Sequence, residues 1–185
     1  DVVVDTSFLE IDKNTLNYEG HVKNLMSYFS NKAETIILFG EIKSDKIIYY
    51  PSQETNKKST ENYLIPKWIT FDFDLELKKF IYKDFYVTDL MGKLKLQNRA
   101  ISGKNIKGNS LGGNIISDIN LNEETKNHLI LKANLILNNI NIQNTFVAFN
   151  NFNQNFIQSD HIKGISTANI DFETHWKPES KFIDE

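Results

Sequence analysis

Ile69-Thr70-Phe71-Asp72-Phe73-Asp74-Leu75-Glu76-Leu77-Lys78 alternates apolar and polar at every step. A β-strand has a side-chain period of two. The stretch therefore puts Ile69, Phe71, Phe73, Leu75 and Leu77 on one face and Thr70, Asp72, Asp74, Glu76 and Lys78 on the other. The pattern returns at Leu129, Leu131, Ala133, Leu135 and Leu137, and again at Ala168, Ile170, Phe172, Thr174 and Trp176. Such strands share one apolar and one wet face. The charged face stays in water, while the apolar face must meet another sheet, a helix layer or a lipid.

Working outward, strands are expected near 68–79, 80–88, 89–97, 99–107, 109–121, 127–144 and 163–177. Polar connections such as Gln97-Asn98-Arg99 and 122–127 are short, which favours antiparallel neighbours. Leu111-Gly112-Gly113-Asn114 places paired glycines inside one of these strands, the mark of a bulge or sharp bend. Upstream, 12–20 reads as strand plus turn. Val22, Leu25, Met26 and Phe29 have helical spacing within 21–30. Ile36–Ile42 and Ile47–Tyr50 read as a hairpin around Ser44-Asp45-Lys46. Residues 51–61 contain no apolar side chain and read as a flexible loop. Phe146, Phe149, Phe152 and Phe156 predict a Phe-rich helix over 145–158, packed on the sheet edge or end or acting as a plug over the apolar face. Its Asn and Gln residues shorten or break it.

The division is thus 1–65, a β-rich segment with a short helix and the flexible loop, and 66–185, the longer β-region with the Phe-rich helix. Whether the first segment continues the same sheet is left open.

With 185 residues, 40% hydrophobic and 24% charged, the chain has the composition of a folded protein. A net charge of −3 supplies no basic excess for nucleic acid. Absence of Cys excludes disulfides, thiolate metal sites and a Cys nucleophile. No apolar run approaches the roughly 20 residues of a membrane span. The start at Asp1-Val2-Val3-Val4 reads as an excerpt or mature fragment, with any anchor outside it.

No catalytic, cofactor or metal site is expected. His21, His128, His161 and His175 lack ligand spacing. Asp72, Asp74 and Glu76 fill the wet side of a regular strand, and no nucleophile-elbow or phosphate-loop motif occurs.

The arrangement of 68–177 resembles the C-terminal region of bacterial AsmA-like proteins. The resemblance is carried by Leu111-Gly112-Gly113, the alternating Leu129–Leu137, the Phe-rich 146–156, and Ile162-Lys163-Gly164 leading into the next strand. It implies a long, curved, mostly antiparallel sheet forming an open apolar groove, with one or two short helices. It also implies the periplasm of a Gram-negative bacterium, an inner-membrane anchor outside this chain, and non-enzymatic phospholipid transport between membranes serving outer-membrane biogenesis. Phospholipid acyl chains would be the ligand and envelope proteins possible partners. The stripe expected to carry them is Phe71, Phe73, Leu75, Leu77, Leu94, Leu96, Leu129, Leu131, Leu135, Leu137, Ile170 and Phe172. Periodicity alone serves a closed β-sandwich equally well, which would make the chain a structural or interaction module of an envelope or secretion assembly.

Overall fold

The computed structural model describes residues 1–11, 14–30, 35–49, 64–126 and 128–176. They build one open sheet of ten strands with two short helices. The first four strands are β1 (Val2–Ile11), β2 (Asn14–Lys23), β3 (Ile36–Ser44) and β4 (Ile47–Tyr49). The long ones follow: β5 (Ile69–Tyr82), β6 (Phe85–Gln97), β7 (Ala100–Ser110), β8 (Gly113–Thr125), β9 (His128–Asn141) and β10 (Ile165–Trp176). Helix α1 is Leu25–Phe29 and α2 is Ile142–Ala148.

The strand path is β1-β2-β3-β5-β6-β7-β8-β9-β10, with β4 also beside β5. The first segment therefore continues the same sheet. β3 and β4 run parallel to β5, and every other pairing is antiparallel. β1 and β10 do not pair with each other, so the sheet is not closed. No second sheet lies against it among the described residues, and the sandwich alternative is not what is built.

Burial agrees with one layer. No large side chain among the described residues is fully buried. The densest packing joins Ile65, Leu96 and Leu129, with Ile69, Phe71, Ile101 and Leu121 against them.

Several local expectations are corrected. The 68–97 region holds two strands rather than three. Phe80-Ile81-Tyr82 carries no turn chemistry and completes β5, and the chain reverses at Lys83-Asp84 with Lys83 at φ 54°. Near 89 the chain bulges instead of breaking: Asp89 has φ 51°, and the β6–β7 register shifts beside it. The glycine pair is not an interior bulge: Gly112 lies in a turn and Gly113 opens β8. Leu111 and Gly112, at φ 53° and 82°, connect β7 to β8. Asn98 and Arg99 do the same between β6 and β7, at φ 52° and 62°. Two consecutive left-handed residues match the right-handed twist of the flanking strands.

The 36–50 hairpin does not form. β3 and β4 lie in succession along β5, Ile36 to Ser44 beside Ile69 to Leu77 and Ile47 to Tyr49 beside Phe80 to Tyr82. The chain jogs at Ser44 without reversing. The Ser44 hydroxyl bonds Thr15 O at 2.6 Å and Lys46 O at 3.2 Å, while Asn14 Oδ1 accepts the Ile48 N–H at 2.7 Å.

The expected helix over 21–30 shrinks to α1, because His21, Val22 and Lys23 pair with β3. The helix over 145–158 starts earlier and ends at Ala148. Asn150 to Asn153 all have positive φ, which stops an α-helix. The proposed loop at 51–61 lies outside the described residues.

Candidate functional site: an apolar sheet face

Because partners in adjacent strands face the same way, the register defines the face row by row. One row reads Val2, Val22, Leu38, Phe71, Leu96, Ile101, Leu121, Leu131, Thr174. It crosses nine strands and is apolar in all but the last. The next row on the same face is Val4, Gly20, Gly40, Phe73, Leu94, Gly103, Ile119, Ala133, Phe172. Eight interstrand steps of about 4.8 Å make the face about 38 Å wide.

Every residue of the expected stripe lies on this face. Leu75 and Leu77 continue it along β5, Leu135 pairs with Ile170, and Leu137 pairs with Ile115 and Ala168. Phe73, Leu77, Leu96 and Leu129 are buried, whereas Ile170 and Phe172 near the β10 edge are each 39% exposed. The other stripe residues are half-buried.

Glycines in the second row open gaps that neighbouring side chains fill. A Cβ at Gly20 would stand 2.2 Å from Phe39 O and 3.0 Å from the Tyr18 hydroxyl. Tyr18 donates that hydroxyl to His21 O at 3.0 Å and meets the Phe73 ring edge-on at 5.7 Å. Burial raises the Tyr18 phenol above its usual range. A Cβ at Gly103 would meet Ile119 and Ile106. The face thus packs sideways on itself.

One end carries a strap. Leu64–Trp68 is the last part of the return that parallel β4 and β5 require. Ile65 is 6% exposed and packs on Leu96 and Leu129. Glu123, 4% exposed at an apolar-phase position of β8, accepts the N–H groups of Leu64 and Ile65 at 2.9 and 2.7 Å. Arg99 Nη1 donates to Ile65 O at 2.6 Å. The sequence reading missed this clamp. Its signal was a carboxylate in phase with Ile119 and Leu121.

The opposite face is a lattice of exposed charges. Lys93 bridges Asp74 at 2.9 Å, Lys104 bridges Asp118 at 3.0 Å and Lys132 bridges Glu173 at 3.0 Å. Asp118 is held below the usual carboxylate range by the Asn105 N–H first and Lys104 second. Glu173 is lowered by its bonds to Lys132 and His175. A shallow depression of about 480 Å³ lies among Lys104, Asp118, Lys132 and Glu173. Its charges already satisfy one another, which leaves little for a ligand.

The histidines are less isolated than their spacing suggests. His128 and His175 rings lie 5.4 Å apart across β9 and β10, and His21 stacks on Phe39 at 5.0 Å. No group of three or more metal-ligating side chains gathers among the described residues.

The Phe-rich segment stands at the other end of the sheet. Asn141 N–H bonds Leu111 O at 2.8 Å, Ile142 N–H bonds Gly164 O at 3.0 Å, and Phe149 stacks on Phe85 at 5.6 Å. No helix among the described residues is long and apolar enough to cross a membrane.

Compared with known proteins, the chain matches no family model, no curated protein and no solved structure.

Proposed function

We propose that this chain is a non-enzymatic, lipid-binding segment of an AsmA-like cell-envelope protein, in which phospholipid acyl chains lie against the apolar sheet face. The observation that carries the reading is the apolar sheet face, which no second layer covers among the described residues apart from the strap at Ile65. Burying apolar area yields about 25 cal/mol per Å², without directional contacts that would hold a chain in one place. Such a surface retains an acyl chain yet lets it slide. In this reading the strap at Ile65 closes one end of the path, and the charged face stays in water. The described residues within the AsmA-like stretch 68–177 form the larger part of the face, and β1 to β3 extend it. The setting is the periplasm, between two membranes, with the anchor outside this chain.

The test is mass spectrometry of organic extracts from gently purified protein, beside a sample unfolded and refolded without lipid. Phospholipid near stoichiometric amount, lost on refolding, supports the reading. A lipid-free, cooperatively folding protein overturns it.

One observation favours a second reading, a structural module of an envelope assembly. β1 and β10 are the edges of the sheet among the described residues, and such edges accept strands from other chains.

A further inference from the structure

We infer that the Phe-rich end of the sheet is itself a membrane-contacting tip, which inserts its aromatic side chains into the interfacial layer of a lipid bilayer. The inference does not depend on lipid binding by the sheet face.

Three observations carry it. The first is exposure: Phe156 is 89% exposed, Val147 58% and Phe152 54%, with Phe149 and Ile157 also exposed. The second is charge. Residues 142–159 contain no Asp, Glu, Lys, Arg or His, in a chain whose charged fraction is 24%. Charges resume at once with Asp160, His161 and Lys163. Entering the headgroup–acyl boundary therefore desolvates no ionised side chain of this segment.

The third is backbone satisfaction. Polar backbone groups that leave water must be bonded internally. Gln154 Oε1 accepts the N–H groups of both Phe156 and Ile157, at 2.7 and 2.9 Å, and its amide donates to Ile157 O. Asn151 Oδ1 accepts the Ser159 N–H at 2.9 Å. Asn and Gln here tie off the loop that presents Phe156. Phe149, stacked on Phe85, fixes the loop to the sheet. A surface built for a protein partner would gain from charged or hydrogen-bonding groups left free at its rim. This tip spends the side-chain oxygens of Gln154 and Asn151 on its own backbone, and Asn150 bonds Asn153.

The test is flotation of the purified protein with phosphatidylcholine vesicles. The intact protein is expected to float, and raising salt to about 0.5 M should change binding little, because no basic patch takes part. Phe156→Ser combined with Ile157→Ser should lower partitioning about tenfold by removing buried apolar area. Phe29→Ser, at an exposed position on α1, should leave it unchanged. Circular dichroism confirms that each variant is folded. Failure of the intact protein to float overturns the inference, as does a double variant that floats equally well. So does a concentration-dependent dimer abolished by the double variant in vesicle-free buffer, which would assign the tip to self-association. Acyl chains on the sheet face are read separately, by extraction, so the two proposals fail independently.

Discussion

Glu123 Oε2 accepts the backbone N–H of Ile65 at 2.7 Å, across 58 residues of chain. This contact, with its companion to Leu64, fastens the strap over the end of the apolar face. Glu123→Ala leaves the buried Ile65 N–H and the part-buried Leu64 N–H without this acceptor and should cost about 2–4 kcal/mol. Glu123→Gln keeps one acceptor oxygen and should cost less. Urea unfolding of the three proteins checks the order; an alanine variant within about 0.5 kcal/mol of the parent would show that the clamp is not structural.

The face is buried beneath the strap and half-buried away from it, and the two places should respond differently. Leu96 is 4% exposed beneath the strap, so Leu96→Ala should cost about 2–4 kcal/mol. Leu131 is half-buried in the same row. Leu131→Asp should leave a cooperative fold and deplete bound lipid, because its carboxylate reaches water. Unfolding of the Leu131 variant would mean that the face is covered in solution.

Gly40 admits no side chain. It has φ 152°, and a Cβ there would lie 2.1 Å from Glu19 O. Gly40→Ala should separate β2 from β3 and cost more than about 2 kcal/mol, with hydrogen exchange accelerating at Tyr18 to Val22 before the rest of the sheet. Uniform exchange across the sheet would contradict this.

Acid should loosen the β7 bulge. Asp118 bonds the Asn105 N–H at 2.7 Å and is depressed by that bond and by Lys104. A carboxylate depressed in the folded state stabilises above its unfolded pKa, and the contribution disappears as pH falls through the folded value. Asp118→Asn should therefore flatten the stability profile below about pH 4, with little change in its shape above pH 5. An unaltered acid limb would remove Asp118 from the account.

The alternation at 69–78 was enough to identify the sheet face, since a period of two is local and survives any topology. All stripe residues fall on one face for that reason. The β3–β4 jog was not legible: Ser44 and Asn14 act on the backbone of distant strands, and a polar Ser-Asp-Lys triplet looks like any turn. Glu123 was hidden by its type, because its partners are backbone N–H groups contributed by residues 64 and 65. Asn150, Asn151, Asn153 and Gln154 weakened the expected helix in the sequence, and the left-handed conformation of the three asparagines ends it. The His128–His175 approach arises from β9–β10 register, which spacing along the chain does not encode.

The central claim is that acyl chains occupy the apolar face. The most direct measurement places a photo-crosslinking phenylalanine analogue at Leu135 on that face and, separately, at exposed Lys132 on the other, then irradiates the protein in intact cells. The account predicts a phospholipid adduct at position 135 and none at 132. Adducts to protein alone at 135, or lipid adducts equal at the two positions, would contradict it.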